Sequence, residues 1–432
     1  MSIAEESPSA SFTLPVLACA PSNSSPENVT LPAQHSPAGN ASDFDLAGFD
    51  AALNELRREV VAECTEADFA HLKKCERWGR LCTILGYLTA WIPNPFSAFA
   101  IAQGLSIRWM MMHHVGHGGY DHVPGVPQRY KSRFFARGWR RPIDWLDWIY
   151  PDAWNREHNT QHHVYTGQLG DPDLLERNLD FVRTSNWSRP IRYMFMTLLA
   201  LTWKFFYYAP TTLAELQDSR DGSGNHGHRL PSLSDFFRFW DPNVRELWAK
   251  CILPYGTVQF VLLPGLFLAA WPWTDWAPWM AASVLLNTIA AELITNFHTF
   301  LVVAPNHTAG DLYRFSVPPR GRAEFYVHQV LGTANYRCGG DANDIFHLWL
   351  NYQIEHHLWP NLPMTAYQRL HPRVKKVCEQ YGITFVQESV WTRARKMVDL
   401  CVGKTSMLHW ETHPLSKRNL PSEPIEVAVG DV

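Results

Sequence analysis

The distribution of apolar and polar positions divides the 432-residue chain into zones of different character. Up to about Ser42 it is Ser, Pro, Ala and Asn with few large apolar residues, a composition that cannot offset its own ordering entropy. Residues 1–48 are therefore expected to form a disordered extension. Across residues 49–80, apolar positions such as Leu53, Leu56, Val60 and Val61 recur at helical spacing among charges and predict a helix. Residues 81–112 are almost uncharged and are broken near the middle by Pro93 and Pro95, which predicts two apolar helices joined by a tight turn. Each half is shorter than the ~20 residues needed to cross a bilayer, so a buried hairpin of a soluble protein competes with a membrane hairpin. A second apolar pair, residues 251–270 and 276–303, is long enough, and Glu292 is the one carboxylate in its second member. Residues 191–210 are apolar and aromatic, but Lys204 interrupts them, which predicts a helix lying at the membrane interface. A loose tail is expected from about Ser416, leaving 49–415 as one folded domain.

Between the second pair lies WPWTDWAPW, whose Trp271, Trp273, Trp276 and Trp279 suit an interfacial belt where a ring sits between hydrocarbon and water. The two short connections, WIPNPF and WPWTDWAPW, carry no Lys or Arg. The flanks do: Arg57, Arg58, Lys73, Lys74 and Arg80 before the first pair, Arg129, Lys131, Arg133, Arg140 and Arg141 after it, and Arg320, Arg322, Arg369, Arg373, Lys375 and Lys376 after the second. By the positive-inside rule both hairpins return to the cytoplasmic side. The expected fold is an all-α integral membrane protein with about four transmembrane helices in two hairpins and a cytoplasmic helical cap.

A net charge of -3 supplies no basic excess to pair with phosphate, which excludes nucleic acid as a partner. The eight cysteines are scattered without a CxxC pair, so neither a zinc knuckle nor a disulfide framework is indicated. No Lys or Arg precedes Arg57, which argues against a secretory or transit signal. The NSS, NVT and NAS tripeptides near the start would accept glycans only on the lumenal side, which the orientation disfavours.

Histidine changes the picture, because many of the 20 fall into tight clusters. His113, His114 and His117 lie in MMMHHVGHGGYDH, where the first hairpin ends. On a helix, residues three or four apart share a face with Cβ atoms ~5–6 Å apart, so His113 and His117 can point into one site. His158, His162 and His163 in EHNTQHH repeat that spacing, and QIEHHLWP places His356 and His357 three and four residues after Gln353, beyond the second hairpin. One such cluster is commonplace on a protein surface. Three that start on the same side of a membrane can fold over the helix ends into one pocket. Neutral imidazole suits iron, copper, nickel and zinc, and two metal ions ~3.5–4 Å apart need about as many ligands as these clusters supply. His298, near the cytoplasmic end of the last apolar helix, joins them as a candidate because ionisable groups in a membrane rarely face lipid. His307 and His328 have weaker cases; His226, His228, His371, His409 and His413 are expected at the surface. Asp121, Glu157, Asp171, Asp173 and Glu355 lie close enough in sequence to accept the remote ring N–H of a ligand.

HHVGH, HNTQHH and QIEHH, in that order and separated by apolar hairpins, resemble the three histidine boxes of membrane fatty-acid desaturases, over roughly residues 113–360. The resemblance implies a di-iron centre on the cytoplasmic side, four spanning helices and a buried channel for a lipid chain. Carried over by position, the metal ligands would be His113 and His117 from the first box, His158, His162 and His163 from the second, His356 and His357 from the third, and His298 on the fourth span. Gln353 stands where many members have the first His of the third box, as in desaturases that insert a bond on the carboxyl side of an existing one. Those relatives often carry a fused cytochrome b5 domain marked by HPGG, a motif not found here, so electrons are expected from a separate carrier of the cytochrome b5 or ferredoxin type.

The implied reaction uses O2 as co-substrate to remove two hydrogens from adjacent methylenes of a fatty-acyl lipid or acyl-CoA, in the endoplasmic reticulum or a bacterial inner membrane. Its nearest rival is a hydroxylase or ketolase with the same centre; a membrane metal transporter or receptor is the rival from another class.

Overall fold

The computed structural model describes residues 45–222 and 234–410. The expected N-terminal extension lies outside them except for its last residues, as do the tail from Ser416, Cys19, His226, His228 and His413. The helix expected over residues 49–80 is two helices, α1 (Leu46–Ala62) and α2 (Glu66–Leu88). α1 starts where the Asp45 carboxylate accepts the Gly48 N–H at 2.9 Å. The break comes from a reciprocal cap that restarts the chain. The Thr65 hydroxyl accepts the Ala67 N–H at 3.3 Å, and Asp68 accepts the Thr65 N–H at 2.8 Å, satisfying amides that a continuous helix would have paired internally.

The two apolar halves of the first hairpin prove to be the inner parts of longer helices, α2 and α3 (Pro95–Gly116). At 23 and 22 residues each is roughly 33–35 Å long, enough for the ~30 Å hydrocarbon core. Asn94 caps α3 by accepting the Ser97 N–H at 2.8 Å, with Pro95 at the first position, where no donor is needed. Glycines let the pair close. A Cβ on Gly86 would lie 2.7 Å from Ile101 Cγ1 and 2.9 Å from the Ile101 backbone nitrogen, and one on Gly104 2.1 Å from Thr83 Oγ1. Such small-residue contact faces are what lipid-embedded helices use, since apolar burial alone gives them no preference for one another.

Beyond α3 come α4 (151–165), α5 (189–221), α6 (Pro242–Ala270) and α7 (Ala277–Val303). α6, and α7 with its short 304–306 extension, are long and apolar enough to cross a membrane. α7 packs against α3, α5 and α6. Its Asn287 stitches the turn of the first hairpin: the side-chain oxygen accepts the Asn94 N–H at 3.0 Å, and the amide donates to the carbonyls of Ala90 at 3.1 Å and Ile92 at 2.8 Å.

On α5, Lys204 is fully buried, 2.7 Å from the Asp147 carboxylate, so the charge that interrupts the hydropathy is neutralised inside the fold. Glu292 on α7 is likewise turned inward, accepting from the Trp148 indole at 3.1 Å and from the Tyr255 hydroxyl.

The remaining described chain forms α8 (Arg322–Leu331), α9 (Gln353–Leu358), α10 (Met364–Gln380) and α11 (Val390–Cys401). Short strands β1 (Tyr313–Phe315), β2 (Asn335–Tyr336), β3 (Gln387–Glu388) and β4 (Leu408–Trp410) make two parallel pairs, β1 with β4 and β2 with β3. The described cysteines are free thiols. The outward faces of the long helices expose Leu88, Phe99, Val261 and Leu266, and the 271–276 turn exposes Trp273 and Trp276.

Gly86→Leu is expected to cost about 1–3 kcal/mol by overpacking against the α3 backbone, read as a lowered thermal midpoint in detergent. Leu88→Ala, two residues on but 67% exposed, is expected to leave that midpoint close to the parent's.

Candidate metal centre

The C-terminal end of α3 carries His113 and His117 one helical turn apart, with ring centroids 4.8 Å from each other. α4 meets them with His158, His162 and His163. Over Asn155–His162 this helix opens into wider i→i+5 turns, a form found mostly as local bulges at functional sites. His158 and His162 consequently stack at 5.1 Å, with planes 16° apart. α9 supplies His356 and His357, which face the same space.

The imidazoles fall into two adjoining sets. In the first, His113, His117, His158 and His356 each offer a nitrogen, and these atoms lie within 4.8 Å of one another; in the second, His162, His307 and His357 do the same. His163 stands between them, 4.5 Å from the His117 ring and stacked on His357 at 4.1 Å. The structure thus brings together seven of the eight residues picked from sequence and adds His307.

His298 is not among them. Both its ring nitrogens are turned elsewhere, Nδ1 to the Ser106 hydroxyl at 3.2 Å and Nε2 to the Phe346 carbonyl at 2.6 Å. The cause is the length of α7, which runs to Val303 and a further 3-10 turn over Ala304–Asn306, so His298 still lies along the helix against α3. His307 comes directly after that turn and reaches the pocket, 4.7 Å from both His162 and His357. The signal for it was present in the sequence: Pro305 ends the apolar helix two residues before a histidine.

Partners outside the cluster fix how each ring faces it. Nδ1 of His162 meets Asp171 Oδ1 at 2.8 Å, Nδ1 of His357 meets Gln329 Oε1 at 2.9 Å, and Nδ1 of His356 meets the Tyr367 hydroxyl at 3.3 Å. A proton on each Nδ1 leaves the Nε2 lone pair pointing inward. Asp171 is itself held, accepting N–H groups of Gly167 and Asp173, each at 2.9 Å. Although burial opposes it, His162 and these donors keep the Asp171 carboxyl below the usual carboxylate range. The Gln353 side-chain N–H2 lies 2.9 Å from His307 Nε2 and steadies that ring. Gln329 and Tyr367, on α8 and α10, carried no sequence signal.

Other expectations resolve differently. Of the carboxylates near the boxes, Asp171 alone bonds a clustered imidazole closely; Asp173 stands at 4.0 Å from His162, Asp121 is used by Ser132, and Glu355 by His371 and Asn335. His371 is therefore not a free surface residue. His114 turns Nε2 to the Leu348 carbonyl at 3.1 Å although its ring lies 5.1 Å from that of His113, and His328 stacks on Phe315 at 3.7 Å.

These residues fit bound metal. Both ring nitrogens of His158 and of His163, with Nε2 of His117 and of His357, are buried without a hydrogen-bond partner, and Nε2 of His113 faces Nε2 of His356 at 3.0 Å. Each unsatisfied buried group costs about 1–3 kcal/mol, a penalty that a shared electrophile would offset. Burial pushes His117, His158, His163, His356 and His357 well below the ordinary imidazole range, with neighbouring imidazoles adding to it. That favours the neutral form, which is the one that ligates.

The family model for fatty acid desaturase matches residues 89–389, a span that includes every clustered histidine. The chain belongs to the fatty acid desaturase family. Among its relatives are the Delta(5) fatty acid desaturase A of Dictyostelium discoideum, 25% identical over 70% of this chain and 61% of its own length, and the NADPH-dependent stearoyl-CoA 9-desaturase of Mycobacterium tuberculosis, 24% identical over 88% and 82%. The acyl-lipid (8-3)-desaturase of Mortierella alpina is 23% identical over 78% of this chain and 74% of its own. Family and buried histidines together support desaturation by an oxidoreductase of this desaturase family.

In this desaturase, His307→Ala is expected to lower the metal bound per chain by elemental analysis, whereas His298→Ala should retain it. Asp171→Asn should weaken metal affinity roughly 10–100-fold, as loss of an outer carboxylate partner typically does, checked by chelator competition.

Proposed function

We propose that this protein inserts a double bond into a fatty-acyl chain carried on a lipid or on coenzyme A, at a di-iron centre held by His113, His117, His158 and His356 on one side and His162, His307 and His357 on the other, with His163 between. The observation that carries the reading is the two adjoining sets of buried imidazoles, with unshared nitrogens, in a member of the desaturase family. Iron bound there would supply the oxidant, O2 being reduced to water as adjacent methylenes lose two hydrogens, with two electrons from a separate carrier and two protons completing the balance.

The chain's own residues position and enclose. Trp154 stacks on His158 at 4.8 Å and lies 5.3 Å from His117, and Trp109 lies 5.3 Å from His113, so indole rings shield the first set from water. Asp171, Gln329 and Tyr367 hold ring orientation, on which reacting distances depend to within about 1 Å. The donor would be of the cytochrome b5 or ferredoxin type.

The same reading takes α2, α3, α6 and α7 as four spans in two hairpins. Exposed apolar side chains along them support this, since such surface is unfavourable in water, and the Lys- and Arg-free turns favour a cytoplasmic side for the boxes. An endoplasmic reticulum or bacterial inner membrane suits that orientation.

Expression in a host of known lipid composition should yield acyl chains two hydrogens lighter by mass spectrometry, and His162→Ala or His356→Ala should reduce them to background with loss of iron. Chains heavier by one oxygen would identify a hydroxylase instead; full activity in both variants would remove the histidine assignment.

A further inference from the structure

Between α2, α3 and the 135–144 segment lies a narrow crevice whose apolar wall is Ile107, Met111, Phe135 and Ile143. Its depth has room for on the order of one water, so a larger group would be met at the mouth. Four charged side chains line it: Glu76, Arg80, Arg108 and Asp144. Both acids are already neutralised. Glu76 accepts from Lys73, Arg80 and Tyr130, and Asp144 is gripped by Arg140 and accepts the Ala136 N–H at 3.1 Å.

Arg108 stands apart. No hydrogen bond or ion pair joins its guanidinium to another described residue; the groups that act on it through space are Arg80, Tyr255, Tyr87 and Asp144. Counting Lys73, Arg80, Arg108 and Arg140 against Glu76 and Asp144 leaves an excess of two positive charges at the crevice. On the four-span reading, Arg108 lies about 20 Å along α3 from Pro95, in the cytoplasmic half of a ~30 Å hydrocarbon core, where a free guanidinium is costly without an anion. It also lies about a turn and a half before His113 on the same helix.

We propose that Arg108 binds the phosphate of the acyl carrier, and so fixes where the acyl chain begins relative to the histidine cluster. A guanidinium suits phosphate because its planar fork donates two parallel hydrogen bonds. The exposed Phe134, Trp139 and Ile143 beside the crevice favour a lipid-borne phosphate over that of coenzyme A. This inference rests on the desaturase reading for its substrate, and on the free cation for its site.

The test uses the full chain in maltoside micelles, which contain no phosphate. Dihexanoyl phosphatidate, dihexanoylglycerol and coenzyme A are titrated calorimetrically into the parent protein, Arg108→Gln and Arg108→Lys. Phosphatidate should bind the parent more tightly than the glycerol does, lose roughly tenfold or more on Arg108→Gln, and recover in part on Arg108→Lys. Coenzyme A competing with phosphatidate in an Arg108-dependent manner supports the phosphate site with the thioester as carrier.

With acyl substrates, the kcat/KM ratio of phosphate-bearing over neutral carriers should fall by the same factor. Equal binding of phosphatidate and glycerol by the parent overturns the proposal, as does unchanged phosphatidate affinity in Arg108→Gln. An adventitious contact with bulk headgroups predicts the latter result. Should Arg108→Gln lose its metal and fold, the parent comparison and Arg108→Lys still decide. Binding is read without turnover, so a chain that binds phosphatidate through Arg108 yet makes no double bond would sink the desaturase reading and leave the site standing.

Discussion

Buried imidazole nitrogens with no partner inside the protein are the constraint around which the rest is arranged. Rings from α3, α4, α9 and His307 are brought within a few ångströms of one another, and burial holds those of His158 and His163 well below the ordinary imidazole range. Neutral rings crowded in this way repel through their lone pairs unless something electron-poor lies among them. The surroundings hold that arrangement rather than relax it. Asp171, Gln329 and Tyr367 occupy the far nitrogen of three rings, so those rings cannot rotate to satisfy themselves elsewhere.

The long helices answer to two different surroundings. Facing each other, α2 and α3 replace side-chain bulk with glycine and approach at backbone distance; facing outward, they and α6 present Leu, Phe and Val. In water this distribution would be inverted, since exposed apolar surface favours aggregation and glycine weakens an isolated helix. Charges that belong inside, Lys204 and Glu292, are each met by a partner from elsewhere in the chain.

What the sequence made legible follows from the range of the interactions. The box on α3 was readable because HxxxH on a regular helix needs no tertiary information. The pairing of His158 with His162 was readable as spacing, but the wider turns that stack them were not, since they depend on packing. The sequence favours His298 over His307 because an ionisable group on an apolar helix rarely faces lipid, a rule that cannot foresee that the Ser106 hydroxyl and the Phe346 carbonyl engage both its ring nitrogens. The neutralisation of Lys204 is hidden for a related reason, as its partner Asp147 lies 57 residues away. The division between α1 and α2 was written in TEAD, a capping sequence, yet helical periodicity on both sides concealed it. Gln329 and Tyr367 could not have been found, because neutral side chains distant in sequence carry no mark of the ring they steady.

His113 and His356 touch although 243 positions of chain separate them. A ribosome must therefore release nearly the whole domain before the pocket has all its walls, and the early hairpin waits with only His113 and His117 of the cluster in hand. Metal would then act as a late fastener, tying the first-made helices to the last, so chains made without it would be folded but loosely closed.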